Sequence, residues 1–262
     1  YKRQPMKTLN LLKRIALLSL AGAALAGCNE DVETTFSIYS QGGVYILQTN
    51  SGTGEGLEKS FAPYIGLGAA YGTFADVTIT HNGMPVYGRM LGPYFYETDA
   101  YSSEHTLSAV NGTYAITAVG TREDGTQQTA TGSVTFSMEE DDALGELKVK
   151  EFSFDGSRVK ASWEKVDNAT AAGIIISVRE TPPGYTEGFY RLGYNMTYLQ
   201  NDYISTNECS VHLDLSAYPE GQEFEIKVAA LNSVYGKGSI LLEGPTKTIV
   251  KGTNHFIEDP EE

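Results

Sequence analysis

Apolar and polar residues alternate with a period of two along much of this chain, and that alternation limits the fold more than any other feature. Between positions 36 and 250 such runs recur between turn signals, and little of that stretch has the period of an amphipathic helix. Residues 75–81 alternate and end at Asn82-Gly83, a favoured two-residue hairpin turn, from which residues 84–87 are predicted to return. The pattern predicts an all-β protein built from β-sandwiches.

A second hairpin is predicted further along, where residues 114–120 lead into Asp124-Gly125 and residues 127–136 return. This pair resembles the last two strands of an immunoglobulin-like domain, with Tyr114 where such domains carry a corner tyrosine. The resemblance implies a first sandwich over residues 36–138.

The later part of the chain is similar to fibronectin type III domains. Residues 159–163, ending at Trp163, match an early strand of that family in which a tryptophan packs into the core, and residues 224–232 match its penultimate strand. Phe224 stands where the family usually has a tyrosine, so the corner hydrogen bond is absent. Burial of the ring contributes more than that bond, which is worth about 1 kcal/mol. The resemblance implies a second sandwich over residues 146–250.

Four consecutive acids at positions 139–142 interrupt the alternation, and we interpret them as part of an interdomain linker. A chain of this length has room for two domains of about 100 residues each. The predicted organisation is a signal peptide (1–27), a lipidated acidic tether (28–35), an immunoglobulin-like sandwich (36–138), an acidic linker (139–145), a fibronectin type III-like sandwich (146–250) and an acidic tail (251–262).

The N-terminus has the pattern of an export signal. Five basic residues lie among the first 14, and residues 15–27 form an apolar or small-residue run. The run is shorter than the roughly 20 residues that cross a membrane as a helix. Its end, Leu25-Ala26-Gly27-Cys28, resembles the lipobox of bacterial lipoproteins, which implies lipid attachment at Cys28. Two or more acyl chains hold a protein stably at a membrane.

Three acids follow Cys28 within residues 29–33. They resemble the surface-export signal of Bacteroidetes lipoproteins, which implies an outer-membrane lipoprotein displayed at the cell surface. A solvated acidic tether explains the same residues, so the leaflet stays open. Removing residues 1–27 takes away five of the 19 basic residues and none of the 33 acidic ones, which leaves a net charge of −19. That charge excludes nucleic acid as a partner, because phosphate binding needs clustered Lys and Arg.

A catalytic or metal-binding constellation is missing from the sequence. The four histidines are scattered, so no zinc site and no cofactor are expected. Cys209 and His212 project to opposite faces of a strand and cannot act together, and we predict that Cys209 is a buried structural residue. The acids at 139–142 could supply oxygens to Ca²⁺, but six to eight ligands must converge, and solvated charge is the preferred interpretation.

Tyrosine is the most suggestive residue type, with 17 in the chain. Tyrosine offers a large rigid contact area with a hydrogen-bonding tip, and binding surfaces use it for that reason. The alternative is that these side chains fill strand faces and interdomain contacts. The candidate binding residues, in two stretches that resemble loops, are Tyr94, Tyr96, Tyr185, Tyr190, Tyr194, Tyr198 and Tyr203.

Three functions follow, in order of support. The first is a non-catalytic, lipid-anchored surface protein that binds a protein or glycan through tyrosine-rich loops. The second is a structural role, as a fimbria-like subunit or an accessory of an outer-membrane complex. An enzyme comes last, since the sequence offers no catalytic group with a partner.

Overall fold

The structure is a computed structural model that describes residues 35–51, 58–99, 106–181, 189–193 and 207–257. Nearly all of the regular secondary structure in these residues is strand, so the predicted all-β sandwich fold is confirmed. The strands are β1 (Ser37–Ser51), β2 (Glu58–Ala70), β3 (Thr73–His81), β4 (Met84–Val86), β5 (Gly88–Met90), β6 (Phe95–Thr98), β7 (Gly112–Thr121), β8 (Gln127–Phe136), β9 (Val149–Phe154), β10 (Arg158–Trp163), β11 (Ala171–Glu180), β12 (Phe189–Gly193), β13 (Glu208–His212), β14 (Glu223–Val234) and β15 (Gly238–Val250). One helical turn, α1 (Leu107–Val110), precedes β7, and a 3₁₀ turn spans Glu140–Asp142.

The strands form three sheets. A long sheet has eight strands in the order β12-β11-β14-β15-β1-β2-β6-β5. A four-stranded sheet, β4-β3-β7-β8, covers the end of the long sheet that carries β1 and β2, and a three-stranded sheet, β13-β10-β9, covers the end that carries β11 and β14. Each pairing of layers is a sandwich of the immunoglobulin or fibronectin type III kind.

Both predicted hairpins of the first sandwich are confirmed. β3 pairs antiparallel with β4, and the turn between them has Asn82 and Gly83 at φ 50° and 75°. Positive φ at both positions matches the twist of the flanking strands, and asparagine and glycine are the residues that tolerate it. β7 pairs antiparallel with β8 along its whole length. The Tyr114 hydroxyl donates to the Val110 carbonyl four residues upstream, at 2.7 Å, so the corner tyrosine predicted for this hairpin is present.

The second sandwich has the predicted aromatic core. Trp163 is fully buried at the end of β10, and Phe224 is buried at the start of β14. The Phe224 ring meets the Tyr218 ring edge to face, with the ring centroids 5.0 Å apart. An aromatic pair of this geometry adds to the stabilisation from burial, and it occupies the place where the family forms its corner hydrogen bond.

β1 joins the two ends of the long sheet. Its first part pairs antiparallel with β2, and after a register shift between Ser40 and Val44 it also pairs in parallel with β15, at Ile46–Ile240, Leu47–Leu241 and Gln48–Leu242. One cluster of buried side chains runs through both sandwiches. Strands from both predicted domains therefore share one sheet, while the domain boundaries at 138 and 146 stay a prediction.

The predicted linker is held to both sandwiches by side-chain amides. The Gln48 side chain donates to the Leu144 carbonyl and accepts from the Leu144 amide, each at 2.8 Å. Asn111 makes the same paired contact with the Met138 backbone, at 2.6 and 3.0 Å. Asn168 and Asn232 donate to carbonyls between positions 141 and 143. The linker is therefore part of the folded structure, with its backbone groups satisfied by defined partners.

Candidate ligand-binding face

The outward face of the long sheet carries aromatic side chains in rows that cross the strands. Tyr39, Gly68 and Phe95 are direct neighbours on β1, β2 and β6. Neighbouring rows on the same face are about 7 Å apart along the strands, because every second residue points the same way. The next rows add Glu97 and Tyr64. We call the surface formed by Tyr39, Tyr64, Phe95 and Glu97 the tyrosine face.

The Tyr39 ring lies against the backbone of Gly68. A β-carbon at position 68 would overlap the ring atoms, so only glycine leaves room for this arrangement. The ring is nevertheless 44% exposed. One side of the ring therefore rests on the sheet, and the rest is open to solvent. A ring held in this way presents a rigid apolar surface. A ligand that binds to it would lose little side-chain entropy, because the ring is already ordered in the folded state.

Glu97 connects the aromatic residues to a charged group. Arg89 donates to one Glu97 carboxylate oxygen through Nε at 3.1 Å and through Nη2 at 2.7 Å. The Tyr64 hydroxyl donates to the other oxygen at 3.3 Å. The pKa of Tyr64 is raised, first by burial and then by the negative charge of Glu97. The tyrosine face thus places a fixed carboxylate and guanidinium one row away from the exposed ring.

Towards β14 the same face of the sheet becomes buried. Tyr45, Ile175 and Leu241 belong to a small apolar cluster there. Beyond it, Lys227 contacts the carboxylates of Glu225 and Glu243, each at 2.9 Å. Burial acts to lower the pKa of Lys227, but the two carboxylates outweigh it and the pKa is raised. The side chain is therefore a fixed cation and does not supply a neutral amine.

The structure separates the two predicted candidates of the first sandwich. Tyr94 is 49% exposed at the turn before β6, and its carbonyl accepts from the Ala69 amide at 2.8 Å. Tyr96 is only 6% exposed and points into the core, so its predicted place on a binding surface is wrong. The stretch was expected to be a loop, but residues 95–98 form β6, and alternation turns Tyr96 inward while Phe95 and Glu97 point outward.

The other five predicted binding tyrosines all lie between residues 181 and 207. Tyr190 lies in β12 and pairs with Arg179, so the expected long loop between residues 181 and 207 contains a strand. Tyr185, Tyr194, Tyr198 and Tyr203 lie outside the described residues, as does Cys28, and their roles stay predictions.

Sequence reasoning missed Tyr39, which is the best-defined residue of the face. It sits in an alternating segment at the start of β1, and alternation alone does not say which tyrosine will find a glycine opposite. The glycines at 66 and 68, spaced two apart in a strand, were the available signal, because an interior strand glycine marks a place where another group approaches closely.

The structure also shows the surroundings of Cys209 and of two histidines. Cys209 is buried, as predicted, and His212 is exposed on the same strand. His81 stacks on Tyr114, with ring centroids 4.2 Å apart, and therefore has a packing role. Within the described ranges, no group of three or more His, Cys, Asp or Glu side chains could hold a metal ion.

The strand order defines an all-β protein with immunoglobulin-like and fibronectin type III-like sandwiches. No family model and no curated protein match the sequence. Among solved structures the chain is similar to the crystal structure of chicken CNTN1 FN1-FN3 domains, with 11% identity and a TM-score of 0.21. The match covers 74% of this chain and 63% of that chain. The fold assignment rests on the strand order described above and not on this similarity.

Proposed function

We infer that this protein is a non-catalytic, lipid-anchored surface protein that binds a protein or glycan ligand through the tyrosine face. The observation that carries the proposal is the position of Tyr39, an exposed ring seated on the backbone of Gly68. A ring that is held in place and still half exposed can bury further apolar surface against a ligand. Fixed polar groups at Glu97 and Arg89 would give that ligand an orientation.

The N-terminal sequence supports the location. A basic segment, an apolar run and Cys28 in a lipobox-like setting favour a lipid anchor at a bacterial outer membrane, with the acids after Cys28 favouring display on the surface of a Bacteroidetes-type cell. In the part of the chain that the structure describes, no helix is long and apolar enough to cross a membrane. Phe36 lies eight positions after Cys28, a reach of at most about 27 Å, so ligand capture would take place close to the membrane.

The proposal is tested with glycan arrays and with pull-downs from outer-membrane extracts. Tyr39→Ala removes the ring, and Gly68→Ala displaces it while leaving the tyrosine in place. Both changes are expected to weaken whichever ligand is found at least about 10-fold, equal to about 1.4 kcal/mol. Tyr235→Ala is the matched control, because Tyr235 is 91% exposed in the turn between β14 and β15 and is not one of the residues that form the face.

The outcomes separate the two parts of the proposal. Unchanged binding in both Tyr39→Ala and Gly68→Ala would remove the tyrosine face as the site. Cys28→Ser in the bacterial precursor is expected to move the protein from the membrane to the soluble fraction without altering ligand affinity. Retention in the membrane by that variant would contradict the lipid anchor.

A further inference from the structure

β8 lies at the edge of the four-stranded sheet. Among the described residues its only strand partner is β7, and the ladder between them runs from Gly112–Phe136 to Thr121–Gln127 without a register shift. The strand is 10 residues long. Among the described strands, none pairs with the other side of β8, and just beyond its end the Ser137 amide donates to the Lys237 carbonyl at 2.7 Å.

The turn between β7 and β8 shows which backbone groups point outward. The Arg122 amide donates to the Thr126 carbonyl at 2.9 Å, and hydrogen-bonded pairs alternate with non-hydrogen-bonded pairs along an antiparallel ladder. Counting from that pair, Thr117–Thr131 is a non-hydrogen-bonded pair. The amides and carbonyls of Thr129, Thr131 and Ser133 therefore point away from β7, and those of alternate residues such as Ala130 and Gly132 point towards it.

β8 also lacks the devices that protect the other sheet edges. Proteins guard edge strands with charge, proline, shortness or bulges. β4 has three residues and contains Pro85, β5 has three residues and contains Arg89, and β9 carries Lys150 and Glu151. β13 has five residues and begins with Glu208. β8, in contrast, has no charged residue and no proline, and three of its residues are β-favouring threonines.

A cleft opens beside this edge, between β1 and β8. Its apolar lining comes from the two sheets and includes Ile38, Val44, Leu67, Ile116 and Val134. Gly132, at the middle of β8, also lines it, so the edge has a notch where an incoming side chain would meet no side chain from β8 itself. The cleft has a volume of about 20 Å³, so an added strand could pair with β8 and direct one small apolar side chain into it.

The charges around β8 indicate the kind of strand that would bind. Residues 122–124 carry a net charge of −1 and residues 139–142 a net charge of −4. Lys237 offsets one of those charges through contacts with Glu139 at 3.0 Å and Asp142 at 3.5 Å, so both ends of β8 stay acidic. A second copy pairing antiparallel through the same outward groups, with Thr131 opposite Thr131, would place Glu123 opposite Glu139 and bring two net-acidic ends together. Like charges directly opposite are destabilising, so self-pairing is disfavoured and a partner with basic ends is favoured.

We propose that the β8 edge is a docking site for an extended segment of a partner protein, basic at its ends and apolar at alternate positions, which adds as a fifth strand to the four-stranded sheet. Backbone hydrogen bonds to Thr129, Thr131 and Ser133 supply the pairing. An apolar side chain over Gly132 enters the cleft and fixes the register. Tyr39 of the tyrosine face also lines the cleft, so the two sites adjoin. The strand pairing itself uses only backbone groups of β8 and does not require a ligand at that face.

The test uses a synthetic peptide of the same length as β8, with valine alternating with threonine and lysine at both ends. Binding is followed by fluorescence anisotropy, and amide exchange is read residue by residue by NMR on the wild-type protein. The amides of Thr129, Thr131 and Ser133 are expected to exchange at least about 10-fold more slowly with peptide bound, whereas those of Ala130 and Gly132, already paired with β7, change less. Thr131→Pro removes one outward amide and is expected to weaken the peptide at least about 10-fold, while Thr131→Ala leaves binding unchanged.

Two control peptides and one control measurement complete the design. The same peptide with alternate amides N-methylated is expected not to bind. Strand addition is overturned if this peptide binds as tightly as the unmodified one, or if the unmodified peptide binds without protecting the Thr131 amide. A version with glutamate at both ends is expected to bind at least about 10-fold more weakly, and equal affinity overturns the basic partner. A concentration-dependent dimer that protects Thr131 without any peptide would assign the edge to a second copy instead.

Discussion

At the scale of single residues, Tyr114 shows how one side chain closes a corner of the first sandwich. Its ring is buried against Phe136, and its hydroxyl satisfies the Val110 carbonyl at the end of α1. Burial raises the pKa of Tyr114 to about 12. The phenolate is therefore strongly disfavoured in the folded protein, where the hydroxyl has to keep its proton to act as a donor.

Tyr114→Phe is expected to lower the free energy of unfolding by about 1 to 2 kcal/mol at neutral pH, because a buried carbonyl loses its donor. The difference between the two proteins should depend on pH. The folded pKa lies above the ordinary value near 10, so the wild-type advantage is complete below pH 10 and falls as pH rises from about 10 to about 12, by at most about 1.4 kcal/mol per unit. Urea titrations of both proteins across this range measure it. A difference that stays constant up to pH 12 would contradict the assigned burial.

At the scale of elements, both hairpins were predictable, whereas the short strands β5 and β6 were not. Period-two alternation and the Asn82-Gly83 turn are local signals, and both hairpins followed from such signals. β5 and β6 have three and four residues between glycines and a proline, so they resemble a loop in sequence. Their strand character comes from pairing with β2, a contact made across about 30 residues of chain, and this is why Tyr96 was placed on the wrong side.

The attachment of the acidic linker to the sandwiches was also not predictable from local sequence. Its four acids suggested a solvated connection, yet Ala143 and Leu144 are buried behind them. The amides that hold the backbone come from Gln48, Asn111, Asn168 and Asn232, which are distant in sequence. A lone polar residue in a strand gives no local sign that its partner is a backbone segment elsewhere, so this attachment was visible only in the structure.

Gln48→Ala tests the attachment of the linker. The change leaves both the amide and the carbonyl of Leu144 buried without their partner, and each such group costs about 1 to 3 kcal/mol. We expect the free energy of unfolding to fall by about 2 to 4 kcal/mol, measured by urea unfolding with Trp163 fluorescence as the probe. Gln127→Ala, an exposed glutamine of β8, is the matched control and should change stability by less than about 0.5 kcal/mol. Equal effects of the two changes would show that the linker does not depend on Gln48.

At the scale of the whole molecule, the parallel pairing of β1 with β15 decides how the sandwiches behave together. The two strands lie almost 200 positions apart in sequence, and parallel pairing between strands so distant leaves no pattern in either strand alone. The two sandwiches could be expected from their resemblances, but their common sheet could not. A shared sheet and one continuous core leave no place for a hinge at the linker.

We therefore expect the two sandwiches to unfold in a single transition. Trp163, the only tryptophan, reports on the second sandwich, and the exchange of β7 amides read by NMR reports on the first. If the common sheet couples them, both probes give the same midpoint in urea, and Ile46→Ala, on the β1 side of the junction, lowers both midpoints together. Ile79→Ala provides a second test, because Ile79 is buried in β3 away from the junction. It should also lower both midpoints if coupling is complete. A loss of β7 protection at a urea concentration where Trp163 is still buried would show that the first sandwich unfolds alone.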